Sequence, residues 1–600
     1  MTSKEKLRSQ IDEKYKWDLT SIYKDKKAFE KDFLKAKEKI NEVVKYKDKF
    51  LSSAKDLLDF LKYDEKTDRL LSKLYYYAHL NYDSDTTVNE SKKMLNEVRD
   101  LYSKYDELES FVQPNILKTD YSVFEKFYKE EKELLKYKFL IENIYRYKQH
   151  TLDESKEMML SKFSNLFMNP EDTFSSLTDT DLTFPNIKDE NNRKCEFNES
   201  NYSVFIKSDD RRVRKDAFEI LFNRYSDFKN TIASTLSGNV EKNIVLSKIR
   251  NYDSCIKSSL YGDNIDLSVY NNLIDTVNKN MNVIYKYYDL RKKVLNLDEL
   301  HLYDTYTDLI KNKSRNYTFC EAKDLVIKSL SVLGTDYIKN INRAFDERWI
   351  DVYHNKGKRS GAYSSGFYDT NPFLLLNYEG KLNDVSTLAH ELGHSMHTYY
   401  SCLNNPYIYS NYSIFVAEVA STVNELLLSK YLISVSKDKE EKLSIINHLL
   451  DLFKSTIYRQ TMFAEFEKDI YEKRENNVIL TSEFLSDTYY KLVKKYFGNN
   501  VIVDDLIRYE WERIPHFYYN FYVYKYATSL SISCYIVNNI LNNKEGALDN
   551  YLKFLTLGSS MYPKDELKIS GIDISDSKYI QSAIDEFNSL IDEFDNLYNS

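Results

Sequence analysis

Charged and apolar residues alternate at spacings of three and four along most of the chain. Residues 25–110 show this pattern, most clearly in LLDFLKYDEKTDRLLSKLYYYAHL at 57–80. The pattern continues through 118–170 and returns between about 209 and about 350. Because this spacing places apolar side chains on one face of an α-helix, we predict helices packed as hairpins in these regions.

Two segments interrupt the helical pattern. Residues 178–205 are polar, contain Pro185 and carry short alternating apolar pieces, which predicts a loop with a small hairpin. We place a domain boundary there, between an N-terminal helical domain at 1–185 and a second domain at 200–600. Residues 351–380 hold four of the twelve glycines, and PFLLLNY at 372–378 predicts a strand. The clustered glycines suit close backbone approach, although an ordinary surface loop also explains them.

The composition agrees with a mostly α-helical fold. Only 12 glycines and 7 prolines occur in 600 residues. A β-sandwich or β-barrel needs a tight turn every ~8–12 residues, and this chain has too few turn-forming residues for that.

Charge and cysteine content restrict the partners and the compartment. The 85 basic and 93 acidic residues are mixed along the chain, which argues against a nucleic-acid partner. The five cysteines lie far apart without a CxxC pair, as is typical of a reducing compartment. The first residues lack the apolar core of a signal peptide, and no apolar run reaches the ~18 residues of a membrane span. We therefore expect a cytoplasmic protein that does not enter a membrane.

The candidate chemistry lies just after the predicted strand, in a helix at 381–401 that Asn383 or Asp384 would cap. This helix contains His390-Glu391-Leu392-Gly393-His394, an HExxH motif. Two histidines four residues apart share one helix face, so both imidazoles can reach one tetrahedral Zn²⁺. Glu391 lies beside them, well placed to take a proton from a water molecule on the metal.

A third ligand is expected on the next helix. Glu418 lies in a mostly apolar stretch, where a carboxylate must be paired or coordinated. Glu425, seven residues later, falls on nearly the same face and is placed to accept a hydrogen bond from a ligand histidine. The alternative is that both glutamates pair with lysines at the helix rim.

Three further histidines are weaker candidates for the metal site. His397 follows the motif by one turn and suits either packing or a supporting role beside the ligands. His354 and His448 suit structural or exposed positions.

A resemblance to a known family rests on several motifs. HELGHSMH at 390–397 is followed by AEVASTVNE at 417–425, in which Glu418 stands 28 residues after the first histidine. This pair resembles the thimet oligopeptidase-type zinc metallopeptidases, and within them the oligoendopeptidase F group. YKWDLTSIY at 15–23, GKRSGAYSSG at 357–366 and WERIPHFYYNFYVYKYATSLS at 511–531 agree in order. The resemblance covers essentially the whole chain.

The resemblance implies a fold and an activity. The fold is a two-lobed helical ellipsoid that encloses a deep substrate channel, with a small β-sheet next to the zinc site. The activity is zinc-dependent endohydrolysis of short peptides, and a helix-walled channel would exclude folded proteins. One Zn²⁺ per chain would be held by His390, His394 and Glu418, with Glu391 as the base. The domain at 200–600 would then be catalytic.

Members of this family bind and polarise the substrate carbonyl with a histidine and tyrosines from the segment at 511–531. Matching the motif assigns this role to His516 and Tyr524, with Tyr522 next. A chain with 53 tyrosines also suits a packed tyrosine cluster here. We expect the substrate backbone to pair with the PFLLLNY strand, where the predicted substrate-binding residues are Gly361, Tyr363, Leu375, Leu376 and Asn377.

Two other functions are weighed against this one. One is a non-catalytic helical protein that binds peptides, which predicts loss of the residue equivalent to Glu391. The other is a metal-dependent hydrolase of a non-peptide amide, against which an extended strand beside the metal argues. The sequence leaves monomer and homo-oligomer open.

Overall fold

The computed structural model describes residues 5–310 and 315–600. These residues are mostly α-helical, which confirms the predicted fold class. The helices of the first half of the chain are α1 (Lys26–Lys39), α2 (Ala54–Ser84), α3 (Asn89–Glu109), α4 (Val112–Lys118), α5 (Tyr121–Glu130), α6 (Lys138–Arg146), α7 (Glu154–Lys162), α8 (Ser164–Ser175), α9 (Tyr202–Ile206), α10 (Arg211–Ser226), α11 (Lys229–Ile249), α12 (Cys255–Tyr261), α13 (Leu267–Lys279) and α14 (Met281–Val294). The helices of the second half are α15 (Phe319–Ser329), α16 (Thr335–Asp346), α17 (Leu382–Asn404), α18 (Ala417–Val435), α19 (Lys439–Phe453), α20 (Arg459–Glu475), α21 (Ser482–Phe497), α22 (Tyr524–Leu541), α23 (Ala547–Phe554), α24 (Pro563–Ile569) and α25 (Lys578–Asn599).

The described strands are short and form three small sheets. They are β1 (Ile187–Lys188), β2 (Lys194–Cys195), β3 (Leu300–His301), β4 (Ile350–Asp351), β5 (Tyr363–Ser365), β6 (Phe373–Leu375) and β7 (Val501–Ile502). β1 and β2 form an antiparallel hairpin, which confirms the hairpin predicted at 178–205. β3 pairs with β7 in parallel. This pair interrupts the predicted helical region 209–350, because α14 ends at Val294 and Asn296 adopts a left-handed φ of 50°.

The third sheet has the order β4-β6-β5 and contains the predicted strand at its centre. β6 pairs in parallel with β4 and antiparallel with β5. Phe373, Leu374 and Leu375 are all fully buried, as is typical of a strand covered on both faces. Close backbone approach is confirmed at Gly366, where a Cβ atom would lie 2.6 Å from the Cα of Pro372.

The N-terminal segment lies against the residues around β4. The N–H of Val352 donates to the carbonyl of Tyr15 at 2.9 Å, and the N–H of Asp18 donates to the carbonyl of Arg348 at 2.8 Å. The motif at 15–23 is therefore part of the structure around this sheet.

The helix with the HExxH motif begins one or two residues before the predicted caps. α17 starts at Leu382, so the N-cap is Lys381 and the predicted caps at Asn383 and Asp384 are wrong. Asp384 instead lies in the first turn, where its carboxylate accepts the backbone N–H of Lys381 at 2.9 Å and of Glu379 at 3.0 Å. A carboxylate that satisfies these otherwise unpaired N–H groups stabilises the start of the helix.

The chain forms two compact units whose segments alternate along the sequence. The first comprises Met1–Gln149, Ser314–Tyr431 and Ile536–Gly571, and it contains the three-stranded sheet and α17. The second comprises His150–Lys313, Leu432–Tyr535 and Ile572–Ser600. The predicted boundary between residues 185 and 200 stays a prediction. Within the described residues we find no helix with the length and apolar content that crossing a bilayer requires.

Candidate metal centre

His390 and His394 lie one turn apart on α17 and face the same way. Their rings are half-buried and their centroids are 4.9 Å apart. This is the consequence of the four-residue spacing, which returns to nearly the same face of a helix.

Glu418 reaches both histidines from the first turn of α18. Its Oε2 atom lies 3.4 Å from Nε2 of His390 and 3.6 Å from Nε2 of His394. One ligand atom from each of the three residues falls within 4.8 Å of the others. The structure thus brings together the three predicted metal ligands, with nitrogen and oxygen atoms of the kind that Zn²⁺ prefers.

Gly393, between the two histidines, permits the close approach of the two helices. A Cβ atom at this position would lie 2.5 Å from Cα of Ser421 and 2.6 Å from the carbonyl oxygen of Ala420. The side chain of Asn424 also crosses from α18 and donates to the carbonyl of Ala389 at 3.1 Å. Backbone contact at Gly393 therefore holds the start of α18 next to the histidines.

Glu425 orients the first histidine. Its Oε2 atom lies 3.2 Å from Nδ1 of His390, and its Oε1 atom accepts a hydrogen bond from Ser386 at 2.8 Å. With Nδ1 donating to Glu425, the lone pair of Nε2 points towards the shared ligand position. The backbone carbonyl of Ala417 acts to raise the pKa of His394, against the larger effect of burial.

The electrostatics of the cluster favour a single positive charge. Burial alone would lower the pKa of His390, but hydrogen bonds to Glu418 and Glu425 raise it to about 10. Burial and the neighbouring His390 lower the pKa of His394 to about 4. Burial would raise the pKa of Glu418, yet its contacts with both histidines lower it overall. The carboxylates thus favour a positive charge on His390, whereas burial and the charge on His390 keep His394 neutral.

Glu391 lies beside the cluster and is only 7% exposed. Burial raises the pKa of its carboxyl group to about 7, although nearby His390 and the backbone N–H of Ser364 on β5 act to lower it. Its Oε2 atom has no hydrogen-bond partner among the described residues. An oxygen of this kind can accept a proton.

The remaining histidines lie outside the cluster. His397 is buried and stacks on Tyr412 with 3.7 Å between ring centroids, and burial lowers its pKa to about 3. His354 is half-exposed and contacts Asn377 and Glu5. His448 lies on α19. In the described part of the chain, the metal-ligand cluster contains none of these three.

The predicted substrate-binding residues fall into two groups. Gly361, Leu376 and Asn377 line a cavity of about 260 Å³ next to the first turns of α17. Leu375 is fully buried in β6, and the hydroxyl of Tyr363 donates to the buried Asp83 at 2.9 Å. The predicted pairing of a substrate with the PFLLLNY strand is wrong, because β4 and β5 occupy both edges of β6. β4 and β5 are the two edge strands, and the N-terminal segment bonds to residues on either side of β4.

The second unit contains the predicted carbonyl donors. His516 contacts Tyr522 and Tyr526, with ring centroids 6.2 and 5.8 Å away, and burial lowers the pKa of His516. Tyr524 is 1% exposed and packs on Tyr270 at 5.0 Å. The hydroxyl of Tyr526 lies 3.4 Å from Nε2 of His516. We did not predict Tyr526, although its four-residue spacing from Tyr522 would have pointed to it.

Two family models match most of the chain. The one described as Peptidase family M3 matches residues 204–586, and the one described as Oligopeptidase F matches residues 115–184. The chain belongs to peptidase family M3. It is therefore a peptidase, which confirms the resemblance seen in its motifs and excludes a non-catalytic binding protein.

Relatives of known name cover nearly the whole chain. It is 42% identical to Oligopeptidase PepF of Bacillus subtilis over 98% of this chain and 88% of that protein. It is 38% identical to Group B oligopeptidase PepB of Streptococcus agalactiae over 98% of both. The crystal structure of oligoendopeptidase-F from Enterococcus faecium superposes with a TM-score of 0.74 at 34% identity, covering 95% of this chain and 99% of that one. The similarity to these relatives thus includes both the fold and nearly the full length of the chain.

Proposed function

We propose that this member of peptidase family M3 is a zinc-dependent endopeptidase that hydrolyses short peptides. The observation that carries the proposal is the convergence of His390, His394 and Glu418 from two helices, with Glu391 beside them. We propose one Zn²⁺ per chain, and a cytoplasmic location in keeping with five free cysteines.

The donor set suits zinc. Two ligands ~2.1 Å from one ion in tetrahedral geometry lie ~3.4 Å apart. Glu418 lies 3.4 and 3.6 Å from the two histidine nitrogens. Three protein ligands leave a fourth position for water or substrate, as in catalytic zinc sites.

In the proposed mechanism, His390, His394 and Glu418 hold the ion, and Glu425 fixes the orientation of His390. Zinc, when bound, supplies a Lewis acid that makes a water molecule acidic enough to lose a proton near neutral pH. Glu391 accepts that proton as the water attacks the scissile carbonyl carbon. Glu391 then donates the proton to the leaving amine nitrogen as the C–N bond breaks.

We propose that the substrate lies as an extended strand along the outer edge of β5. The backbone N–H of Ser364 on this strand acts to lower the pKa of the Glu391 carboxyl group, and the Ser364 hydroxyl lies 2.8 Å from that of Ser395 on α17, so the strand passes beside the proposed base. Strand addition recognises the peptide backbone and leaves most side-chain positions loosely specified. The preference for short peptides over folded proteins stays a prediction from the resemblance.

The donors to the substrate carbonyl are also proposed from the resemblance. We keep His516 and Tyr522 in this role. Tyr524 is almost fully buried, so its hydroxyl is poorly accessible to a substrate. We therefore propose Tyr526, which contacts His516, in place of Tyr524 as the second tyrosine donor beside Tyr522.

The test is a metal analysis coupled to a peptide assay. Purified protein should contain about one zinc per chain, a chelator should abolish cleavage of a quenched fluorescent peptide, and added Zn²⁺ should restore it. Glu391→Gln keeps the size of the side chain and should keep the zinc while lowering turnover by at least ~10²-fold, because an amide cannot accept the proton. Glu418→Gln is the matched variant that should instead lower the zinc content. Full activity in metal-free protein would exclude the proposal.

A further inference from the structure

A cavity lies beside the start of α17, the helix that carries His390 and His394 further along. Its volume is about 260 Å³. Part of its wall comes from residues flanking β5 and β6, and part from the first turns of α17: Gly361, Ala362, Asn377, Asn383, Asp384 and Thr387. Small-molecule sites begin near ~300 Å³, so a cavity of this size suits a single side chain.

Asn383 and Thr387 lie on the same helix face as the two histidines. The sequence positions 383, 387, 390 and 394 are separated by four, three and four residues, which keeps them in one row. At ~1.5 Å per residue, Thr387 lies ~4.5 Å and Asn383 ~10.5 Å before His390 along the helix axis. Thr387, the wall nearer to the metal centre, is thus separated from His390 along the helix axis by only slightly more than the ~3.3 Å that one extended residue spans.

The direction of β5 shows which part of a substrate would reach the cavity. Gly361 and Ala362, just before β5, share the cavity with Thr387, whereas Ser364 lies 2.8 Å from Ser395 further along α17. β5 therefore runs alongside α17 with the same chain direction. A peptide added antiparallel to β5 runs the opposite way, so the residues after its scissile bond point towards the cavity.

The cavity wall combines apolar surface, from residues such as Ala362 and Leu376, with polar groups and one formal negative charge. Its polar groups are the carboxylate of Asp384, the amides of Asn377 and Asn383, and the hydroxyl of Thr387. Hydrogen bonds from two backbone N–H groups hold the carboxylate in place. No lysine or arginine is among the described residues that line the cavity. A basic or amide side chain complements such a wall, and an acidic side chain is repelled by it.

We infer that this cavity binds the side chain of the first residue after the scissile bond and selects basic or amide side chains over acidic ones. The inference rests on the proposed peptidase function and assigns a specificity-determining role to Asn383. Asn383 is exposed in the first turn of α17, so a charge can be introduced there without disturbing the core.

The test compares quenched peptides that differ only in the first residue after the scissile bond, which is Lys, Gln, Leu or Glu. The cleavage site is verified by mass spectrometry, and kcat/KM is measured for each peptide. Wild-type protein should prefer Lys and Gln to Glu. Asn383→Asp should raise the Lys-to-Glu ratio of kcat/KM about fivefold, and Asn383→Lys should lower it by a similar factor.

Asn404 provides the matched control, because it is exposed near the other end of the same helix, ~31 Å from Asn383. Asn404→Asp and Asn404→Lys introduce the same charges beyond the ~10 Å screening length and should leave the ratio unchanged. If a charge introduced at Asn383 does not change the Lys-to-Glu ratio of kcat/KM, the inference is wrong. It is also wrong if the charge changes only the preference for the residue before the scissile bond. If no peptide is cleaved in a metal-dependent way, the proposed function itself fails.

Discussion

Glu512 is buried in the 3₁₀ helix Asp505–Arg513, just before His516, and neither of its carboxylate oxygens has a hydrogen-bond partner among the described residues. Burial raises the pKa of this carboxyl group to about 9, which nearby Lys229 offsets only in part. In the unfolded chain a glutamate titrates near ~4.3. Below pH ~4.3 Glu512 is protonated in both the folded and the unfolded state and costs no stability. As the pH rises towards about 9, the unfolded chain releases this proton while the folded protein keeps it, so stability is lost.

We expect Glu512→Gln to raise the melting temperature more at pH 8 than at pH 5. The amide has nearly the same shape and is neutral at both pH values, so it removes the penalty of keeping a carboxyl group protonated. Asp505→Asn is the control, because Asp505 is exposed at the start of the same 3₁₀ helix and pairs with Arg508 at 3.1 Å. Differential scanning calorimetry at both pH values checks the prediction. Equal changes in melting temperature at pH 5 and pH 8 would contradict it.

Single residues also mark the limit of what the sequence could predict. The positions of His390, His394 and Glu391 followed from helical periodicity, because one helix carries all three. Tyr522 and Tyr524 are chemically identical, and only their burial distinguishes them. That burial depends on α13, which supplies Tyr270 from more than 250 residues away in the sequence.

At the scale of elements, the crossing of α17 and α18 determines where Glu418 lies. Alanine is a better helix former than glycine by ~1 kcal/mol, so a glycine-to-alanine change inside a helix normally stabilises a protein. At Gly393 the added methyl group would overlap the backbone of α18 at Ser421, three residues after Glu418. We expect Gly393→Ala to lower the melting temperature and to weaken zinc affinity at least ~10-fold, because α18 must move away from the histidines.

Gly238 is the matched control for this substitution. It lies inside α11, and a Cβ atom there would meet Pro170 at an ordinary contact distance of 3.6 Å. Gly238→Ala should therefore leave zinc affinity unchanged and stabilise the protein by up to ~1 kcal/mol. Thermal melts and a competitive zinc titration of both variants distinguish the two cases. Wild-type zinc affinity in Gly393→Ala would show that the crossing does not position Glu418.

Helices and strands were predictable where the local pattern of apolar residues determines them. The apolar run at 372–378 indicated a strand, and the structure has it as β6. Its central place in the sheet was not predictable, because its partner strands β4 and β5 are only two and three residues long and the N-terminal segment beside β4 comes from a distant part of the chain. Tyr15 and Val352, which bond to each other beside β4, are separated by 337 residues.

At the scale of the whole molecule, the first compact unit draws its parts from three separate stretches of sequence. The metal centre depends on α17 and on β5, and β5 is held by residues of the N-terminal stretch. Buried Asp83 on α2 accepts the hydroxyl of Tyr363 on β5 at 2.9 Å and pairs with Arg359 at 3.3 Å. Truncation before residue 200 would remove α2 and the segment that bonds to Val352.

We therefore expect the fragment 200–600 on its own to be insoluble or unable to retain zinc, even though it contains all three proposed ligands. Without α2, Tyr363 and Arg359 lose their buried partner, and the apolar surface of the sheet is exposed. Expression of the fragment, followed by measurements of soluble yield, thermal unfolding and zinc content, checks this expectation.

The control separates loss of residues from loss of chain continuity. A specific protease site inserted in the exposed β1–β2 turn, at Asn191, allows the full-length protein to be cut after it has folded. The nicked protein keeps every contact of the first unit, so it should retain zinc and peptidase activity. A stable, zinc-binding and active fragment 200–600 would show instead that the catalytic part folds without the N-terminal helices. In that case the contacts of Asp83 and Tyr15 would be dispensable for the metal centre, and the boundary predicted between residues 185 and 200 would mark an independently folding domain.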